Sequence, residues 1–221
     1  MNIFRYDSAL GKVLNRITDL VILNLLTFLV SIPIVPIGAG ITALHSVLIK
    51  IIKEEEVSIT KSFFTSFKRE FKQATIIWLL IILVFGILSL DEAIFNGMIT
   101  NGAYEGFARG GRIVIVGATL VALMILQYVF PIQARYEGRI KETLGKAVGL
   151  AIGAFPRTVL MLLAQLLPIA GIWLLGFYIV PIYILVGISG PAYLVALLYN
   201  PLFKDGTATE HAGGEPADEV E

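Results

Sequence analysis

The stretch SIPIVPIGAGITALH, residues 31–45, lies in the middle of an uncharged run of 30 residues that covers positions 20–49. As one helix this run would measure about 45 Å, whereas a hydrocarbon core is roughly 30 Å thick. Pro33 and Pro36 each remove a backbone donor and clash with the preceding helical turn. The stretch therefore predicts a hairpin of two helices that meet at these prolines.

The composition indicates an integral membrane protein. The chain has 221 residues, of which 57% are hydrophobic and 15% are charged. A soluble domain has about 45–50% apolar and about 25% charged residues. The chain contains no cysteine, which excludes disulfides, thiolate metal sites and a cysteine nucleophile. Its net charge is zero, so the charge balance favours neither acidic nor basic partners.

Helix length sets the number of predicted spans, because one crossing needs about 20 apolar residues. The charge-poor run over 158–203 has 46 residues, so it must cross twice, with a break predicted at 174–181. We predict an all-α membrane protein, a six-transmembrane-helix bundle with interfacial amphipathic helices on the cytoplasmic side. The predicted helices cover about 13–32, 37–52, 74–90, 113–132, 158–175 and 181–199, and residues 205–221 form a disordered acidic tail.

The distribution of basic residues predicts the orientation. Cytoplasmic loops carry the excess of lysine and arginine. With six spans and cytoplasmic N- and C-termini, all of the 17 basic residues except Arg109 and Arg112 fall on the inner side. The second helix has only 16 residues, so a re-entrant segment that does not cross is the alternative.

In the segment 54–73, EEEVSITKSFFTSFKREFKQ, Ile59, Phe63, Phe67 and Phe71 recur every four residues, and the basic residues lie mostly away from that stripe. This pattern predicts an amphipathic helix in the inner membrane surface, with its basic residues near anionic head groups. The alternative is a solvated helix packed on the bundle. We take the segment as a candidate partner or membrane surface, formed by Phe63, Phe64, Phe67, Phe71, Lys68 and Arg69. Residues 138–158, before the fifth helix, repeat the pattern weakly.

Polar residues inside the membrane are candidates for function because they are costly to bury there. Asn24 lies nine residues before Pro33, and His45 lies nine residues after Pro36, so both are predicted about 13 Å from the hairpin turn. Gln165 in the fifth helix is predicted at a similar depth. These three residues form a candidate intramembrane polar site. It is either a structural clamp, with Asn24 and His45 hydrogen-bonded to each other, or part of a substrate or proton path.

Motifs for chemistry are missing from the sequence. There is no HExxH, no GxSxG and no glycine-rich phosphate loop, and only two histidines are present, one of them His211 in the tail. We therefore expect a protein that is not an enzyme and that has no cofactor, metal site or nucleic-acid partner.

Three segments carry a resemblance to a known family. They are NLLTFLVSIPIVPIGAGITALHSVLIKIIKEEE (24–56), SFFTSFKREFKQATIIWLL (62–80) and YNPLFK (199–204). Together they resemble the YesL family, bacterial integral membrane proteins with a domain of unknown function. The chain departs from the family at Pro36, where members more often have a hydroxyl residue. A hydroxyl residue at this position could cap the second helix, and proline at the start of a helix also favours the helix because it fixes φ.

The resemblance implies a bacterial plasma-membrane protein with an accessory role beside ABC-type carbohydrate importers, whose subunits are the implied partners in addition to the lipid bilayer. It provides no catalytic or binding residues. The alternatives are a small autonomous transporter or channel that uses the polar midplane residues and, less favoured, a regulatory membrane protein. Permeases of such importers usually have a cytoplasmic coupling loop with an EAA…G pattern. The only EA pair in this chain, Glu92-Ala93, falls outside the predicted cytoplasmic loops, so the chain is not expected to be the permease itself.

Overall fold

The computed structural model describes residues 9–55, 58–102, 104–136 and 138–204, and the predicted acidic tail with His211 lies outside these ranges. In them the chain folds into α-helices joined by short turns. The helices are α1 (Ala9–Ser31), α2 (Ile37–Ile52), α3 (Ile59–Thr100), α4 (Glu105–Arg135), α5 (Ile140–Gly153), α6 (Phe155–Leu175), a 3-10 helix (Gly176–Ile179), α7 (Val180–Val186) and α8 (Ser189–Lys204).

Within the described ranges, four helical segments are long and apolar enough to cross a membrane, namely Gly11–Ser31, Ile59–Thr100, Glu105–Arg135 and Phe155–Val186. Their outer surfaces carry large apolar side chains, such as Leu83, Ile113 and Trp173, that are exposed on the isolated chain. Water would penalise such a surface and hydrocarbon would not. The protein is therefore an all-helical, multi-pass membrane protein.

The hairpin predicted from the two prolines is present. Helix α1 ends at Ser31 and α2 begins at Ile37, directly after Pro36. The turn between them is tied to α3, because the indole Nε1 of Trp78 donates a hydrogen bond of 3.0 Å to the carbonyl of Ile34.

Helix α2 is the most buried helix of the hairpin, with 12 of its 16 residues buried. It runs antiparallel to the first half of α3. At one end of the pair Gly38 lies against Ala74, and at the other the hydroxyls of Ser46 and Ser66 share a hydrogen bond of 2.8 Å. Thus α2 pairs with the phenylalanine-rich and charged half of α3, while the apolar half over 74–90 extends beyond it.

Helix α3 corrects two sequence predictions. The sequence predicts an interfacial helix followed by a separate span over 74–90, whereas α3 is one helix of 42 residues without a break. In addition, Ile59 and Phe63, which the sequence places against lipid, are buried in the protein core. The physical reason is α2, which packs closely on this face of α3 and covers it.

The chain turns back after α6. Gly176 has a φ of +55°, which glycine adopts without strain, and the 3-10 helix follows at once. Ile179 packs back against Gly171, eight residues earlier, at a distance that a straight helix would not allow. This turn lies within the predicted break at 174–181. The sixth predicted helix is divided into α7 and α8, because the chain leaves helical hydrogen bonding around Gly187.

Candidate functional site

Asn24 is a buried residue of α1 whose side chain reaches the break between α7 and α8. Its Nδ2 donates to the carbonyl of Ile184 at 2.9 Å and, more weakly, to that of Tyr183 at 3.4 Å. Its Oδ1 accepts from the backbone amides of Ile188 at 2.8 Å and Ser189 at 2.9 Å. Since an asparagine side chain offers two donors and two acceptor positions, Asn24 is fully occupied by backbone groups.

The break explains why these backbone groups need a partner. Where a helix is interrupted, its last carbonyls and the first amides of the next helix lose their intrahelical partners. In a membrane such groups must be satisfied by the protein. The Ser189 hydroxyl adds a bond in the opposite direction, donating to the carbonyl of Leu20 at 2.8 Å. Asn24 therefore acts as a clamp that binds α1 to a discontinuous helix.

His45 lies on α2 and takes a different partner. Its Nδ1 shares a hydrogen bond of 3.1 Å with the hydroxyl of Tyr199, and the two rings meet edge-on. The Tyr199 ring packs on Phe203, whose carbonyl accepts a bond from Arg135 of α4 at 3.2 Å. The YNPLFK segment at the end of α8 is thus anchored to α2 and α4.

We expect Tyr199→Phe to lower the free energy of unfolding by about 1 kcal/mol, because it leaves His45 without its buried partner. Tyr193→Phe is the matched control. Tyr193 is half-buried on the same helix, and the phenylalanine keeps the aromatic face that Arg16 approaches. The stabilities of the two variants are compared by unfolding them in a denaturing detergent while tryptophan fluorescence is monitored. Equal stabilities would mean that the hydroxyl contributes nothing to holding α8.

The structure does not bring the three predicted polar residues together. Asn24 and His45 are hydrogen-bonded to different segments of the chain, so the direct bond considered between them is not made. Gln165 is exposed on α6, where it faces away from the interior. A substrate or proton path through this set stays a prediction.

The candidate surface on α3 is also divided between two environments. Phe63 is buried and Phe67 is half-buried, so both belong to the packed interior. Phe64 and Phe71 are 36% and 41% exposed. Lys68 and Arg69 are exposed as well. The accessible part of the predicted surface is therefore Phe64 and Phe71 with their basic neighbours.

The sequence analysis missed a buried carboxylate on the same helix. One oxygen of Glu70 accepts from Arg69 Nε at 2.6 Å, and the other accepts from Gln133 Nε2 at 2.6 Å. The Gln133 Oε1 in turn accepts from Gln73 at 2.9 Å and from Thr143 of α5 at 3.4 Å. This network ties α3, α4 and α5 together, and we call it the Glu70 network.

A periodicity signal for Glu70 existed, but its neighbours hid it. Glu70 lies on the face of α3 that contains Phe63, Ser66, Ala74 and Ile77, all buried and three or four residues apart in sequence. However, the surrounding residues 68–73, KREFKQ, are mostly charged or polar, which suggests that Glu70 is exposed to solvent. In the part of the chain that the structure describes, no group of three or more histidine, aspartate or glutamate side chains could hold a metal ion.

Comparisons with known proteins identify one region. A family model described as "Protein of unknown function, DUF624" matches residues 20–92. No curated protein matches the chain, and no solved structure does. The matched residues include the clamp residue Asn24, all of α2 and most of α3. Over this region, the chain is similar to the DUF624 family.

Proposed function

We propose that the protein is a non-enzymatic, integral membrane accessory protein that associates with an ABC-type carbohydrate importer in a bacterial plasma membrane. The observation that carries the proposal is the exposed face at the start of α3. Here Phe64 and Phe71 lie beside the exposed residues Lys61, Lys68 and Lys72. Aromatic residues with a charged rim are typical of protein docking surfaces.

The charge distribution supports a cytoplasmic position for this face. Lys61, Lys68 and Lys72 precede the uncharged segment 74–90 of the same helix, and basic residues gather on the cytoplasmic side of membrane proteins. Both termini are then cytoplasmic as well. This orientation is the same whether or not the α1–α2 hairpin crosses the membrane, because a hairpin adds either two crossings or none.

For the hairpin itself, the exposed surface of α1 supports six full spans over the re-entrant alternative. The side chains of Leu25, Phe28 and Leu29 are exposed on the isolated chain, and water would penalise such a surface whereas hydrocarbon would not.

An autonomous transporter or channel is the second candidate. Transporters often bind substrates at breaks in helices, and the α7–α8 break is of that kind. Moreover, the buried hydroxyl of Tyr183, beside this break, has no partner among the described residues. The hydrogen bonds of Asn24 argue against this candidate. All donor and acceptor positions of its side chain are occupied, so a substrate would have to displace hydrogen bonds that the chain already makes.

Affinity purification of the tagged protein from its native membrane in a mild detergent, followed by mass spectrometry, tests the proposal. We expect ABC permease subunits at near-equal amounts. Phe64→Ala/Phe71→Ala should reduce their recovery about tenfold or more, because exposed aromatic anchors dominate such interfaces. The matched control is Leu83→Ala/Leu90→Ala, which removes exposed side chains from the apolar half of the same helix.

Recovery of the chain alone would contradict the accessory role. The second candidate then makes its own prediction in reconstituted vesicles. Flux of a sugar, an ion or protons should be present and should fall with Tyr183→Phe, while Tyr178→Phe, at an exposed position, should leave it unchanged.

A further inference from the structure

An open cleft of 660 Å³ lies between α3 and the start of α5, beside the Glu70 network. Four cationic side chains line it, two from each helix: Arg69, Lys72, Arg139 and Lys141. All four are exposed, and Lys72, Arg139 and Lys141 are accessible to a ligand. Helix α5 begins at Ile140, inside the cleft, and the amides of a helix N-terminus favour an anion.

The carboxylate in the cleft does not cancel this positive charge. Among the residues that the structure describes, the lining includes one carboxylate, Glu70, and both of its oxygens already accept hydrogen bonds, from Arg69 and Gln133. Glu142, the next carboxylate on α5, accepts from the backbone amide of Arg139 at 3.2 Å. The described lining residues thus comprise four cations and one carboxylate, an excess of positive charge.

A second, apolar space has lining residues close in sequence to those of the cleft. A groove of 210 Å³ between α3 and α4 is lined only by apolar residues. On α3, Ile76 lines the cleft and Ile77 lines the groove. On α5, Lys141 lines the cleft and Leu144, about one turn further on, lines the groove. The groove lies along the uncharged segment of α3, where lipid would surround the protein.

We propose that the cleft and the groove form one binding site for an anionic phospholipid, with its phosphate in the cleft and an acyl chain in the groove. The combination of the two spaces carries the inference. A free phosphate would use the cations but leave the groove empty, and a zwitterionic lipid would use the groove but gain little from the excess positive charge. Basic pockets between helices on the cytoplasmic side are suited to such head groups.

This inference goes beyond the accessory role and depends only on the membrane position of the chain. It is tested by native mass spectrometry of the full chain with phosphatidylglycerol and phosphatidylcholine that have the same acyl chains. We expect a clear preference for phosphatidylglycerol. Lys72→Gln/Lys141→Gln should reduce its binding by about fivefold for each lysine removed. The matched control, Lys12→Gln/Lys53→Gln, removes two exposed lysines outside α3 that do not line the cleft.

A second variant separates the acyl-chain contact from the phosphate contact. Ala122→Phe fills the groove without changing a charge, so it should weaken phosphatidylglycerol binding and spare the cleft. It also keeps the proposal testable if the lysine variant does not fold. Equal binding of the two lipids would overturn the proposal, as would full displacement of phosphatidylglycerol by an equal concentration of glycerol phosphate. So would an equal loss of binding in the Lys12/Lys53 control.

Discussion

Replacing Asn24 by leucine is expected to lower the free energy of unfolding by about 2–4 kcal/mol. The side chain makes four hydrogen bonds to backbone groups at the α7–α8 break, and each contributes roughly 0.6–1 kcal/mol. Leucine keeps the branched shape of asparagine and suits the membrane, so the loss does not report a cavity. A titration with denaturing detergent, followed by the fluorescence of Trp78 and Trp173, measures the change.

Asn96→Leu is the control, since Asn96 lies exposed on α3. The same chemical change there should alter stability by less than about 0.5 kcal/mol. If Asn24→Leu changed the free energy of unfolding equally little, the α7–α8 break would have to be held by other contacts, and the clamp would be refuted. Weaker contact between α1 and α7 should accompany the loss, because Asn24 bridges them.

The sequence was sufficient for those features that local chemistry determines. Pro33 and Pro36 predicted the hairpin, and α2 covers the predicted residues Ile37–Ile52. The break after α6 lies at Gly176, inside the predicted stretch. In each case a residue with a restricted or unusual backbone acts on its own immediate neighbours, so no tertiary information was needed.

Partners across the fold could not be predicted in this way. Asn24 was recognised as an unusual polar residue, but its partners are backbone groups that become available only where α7 and α8 separate. The phenylalanine stripe of α3 predicts an amphipathic helix, but periodicity does not say whether lipid or α2 covers it. Glu70 was missed because its buried partner, Gln133, lies 63 residues away in sequence.

The contact between α2 and α3 leads to the second large expected effect, at Gly38. A Cβ atom on this residue would lie 2.5 Å from the carbonyl oxygen of Ala74 and 2.6 Å from the Cβ of Trp78. Neither neighbour can rotate away, because one is backbone and the other is fixed to it. Gly38→Ala should therefore force α2 away from α3 and disturb the Ser46–Ser66 hydrogen bond at the far end of the pair.

We expect Gly38→Ala to lower the free energy of unfolding by about 2 kcal/mol, since overpacking costs up to about 3 and alanine returns at most about 1 through its helix propensity. Gly117→Ala in α4 is the matched control, because nothing lies within 4 Å of its added Cβ. That variant should be neutral or more stable by up to about 1 kcal/mol. Opposite signs for the same methyl group would establish that close α2–α3 packing holds the hairpin. Two variants of equal stability would show that α2 moves freely on α3.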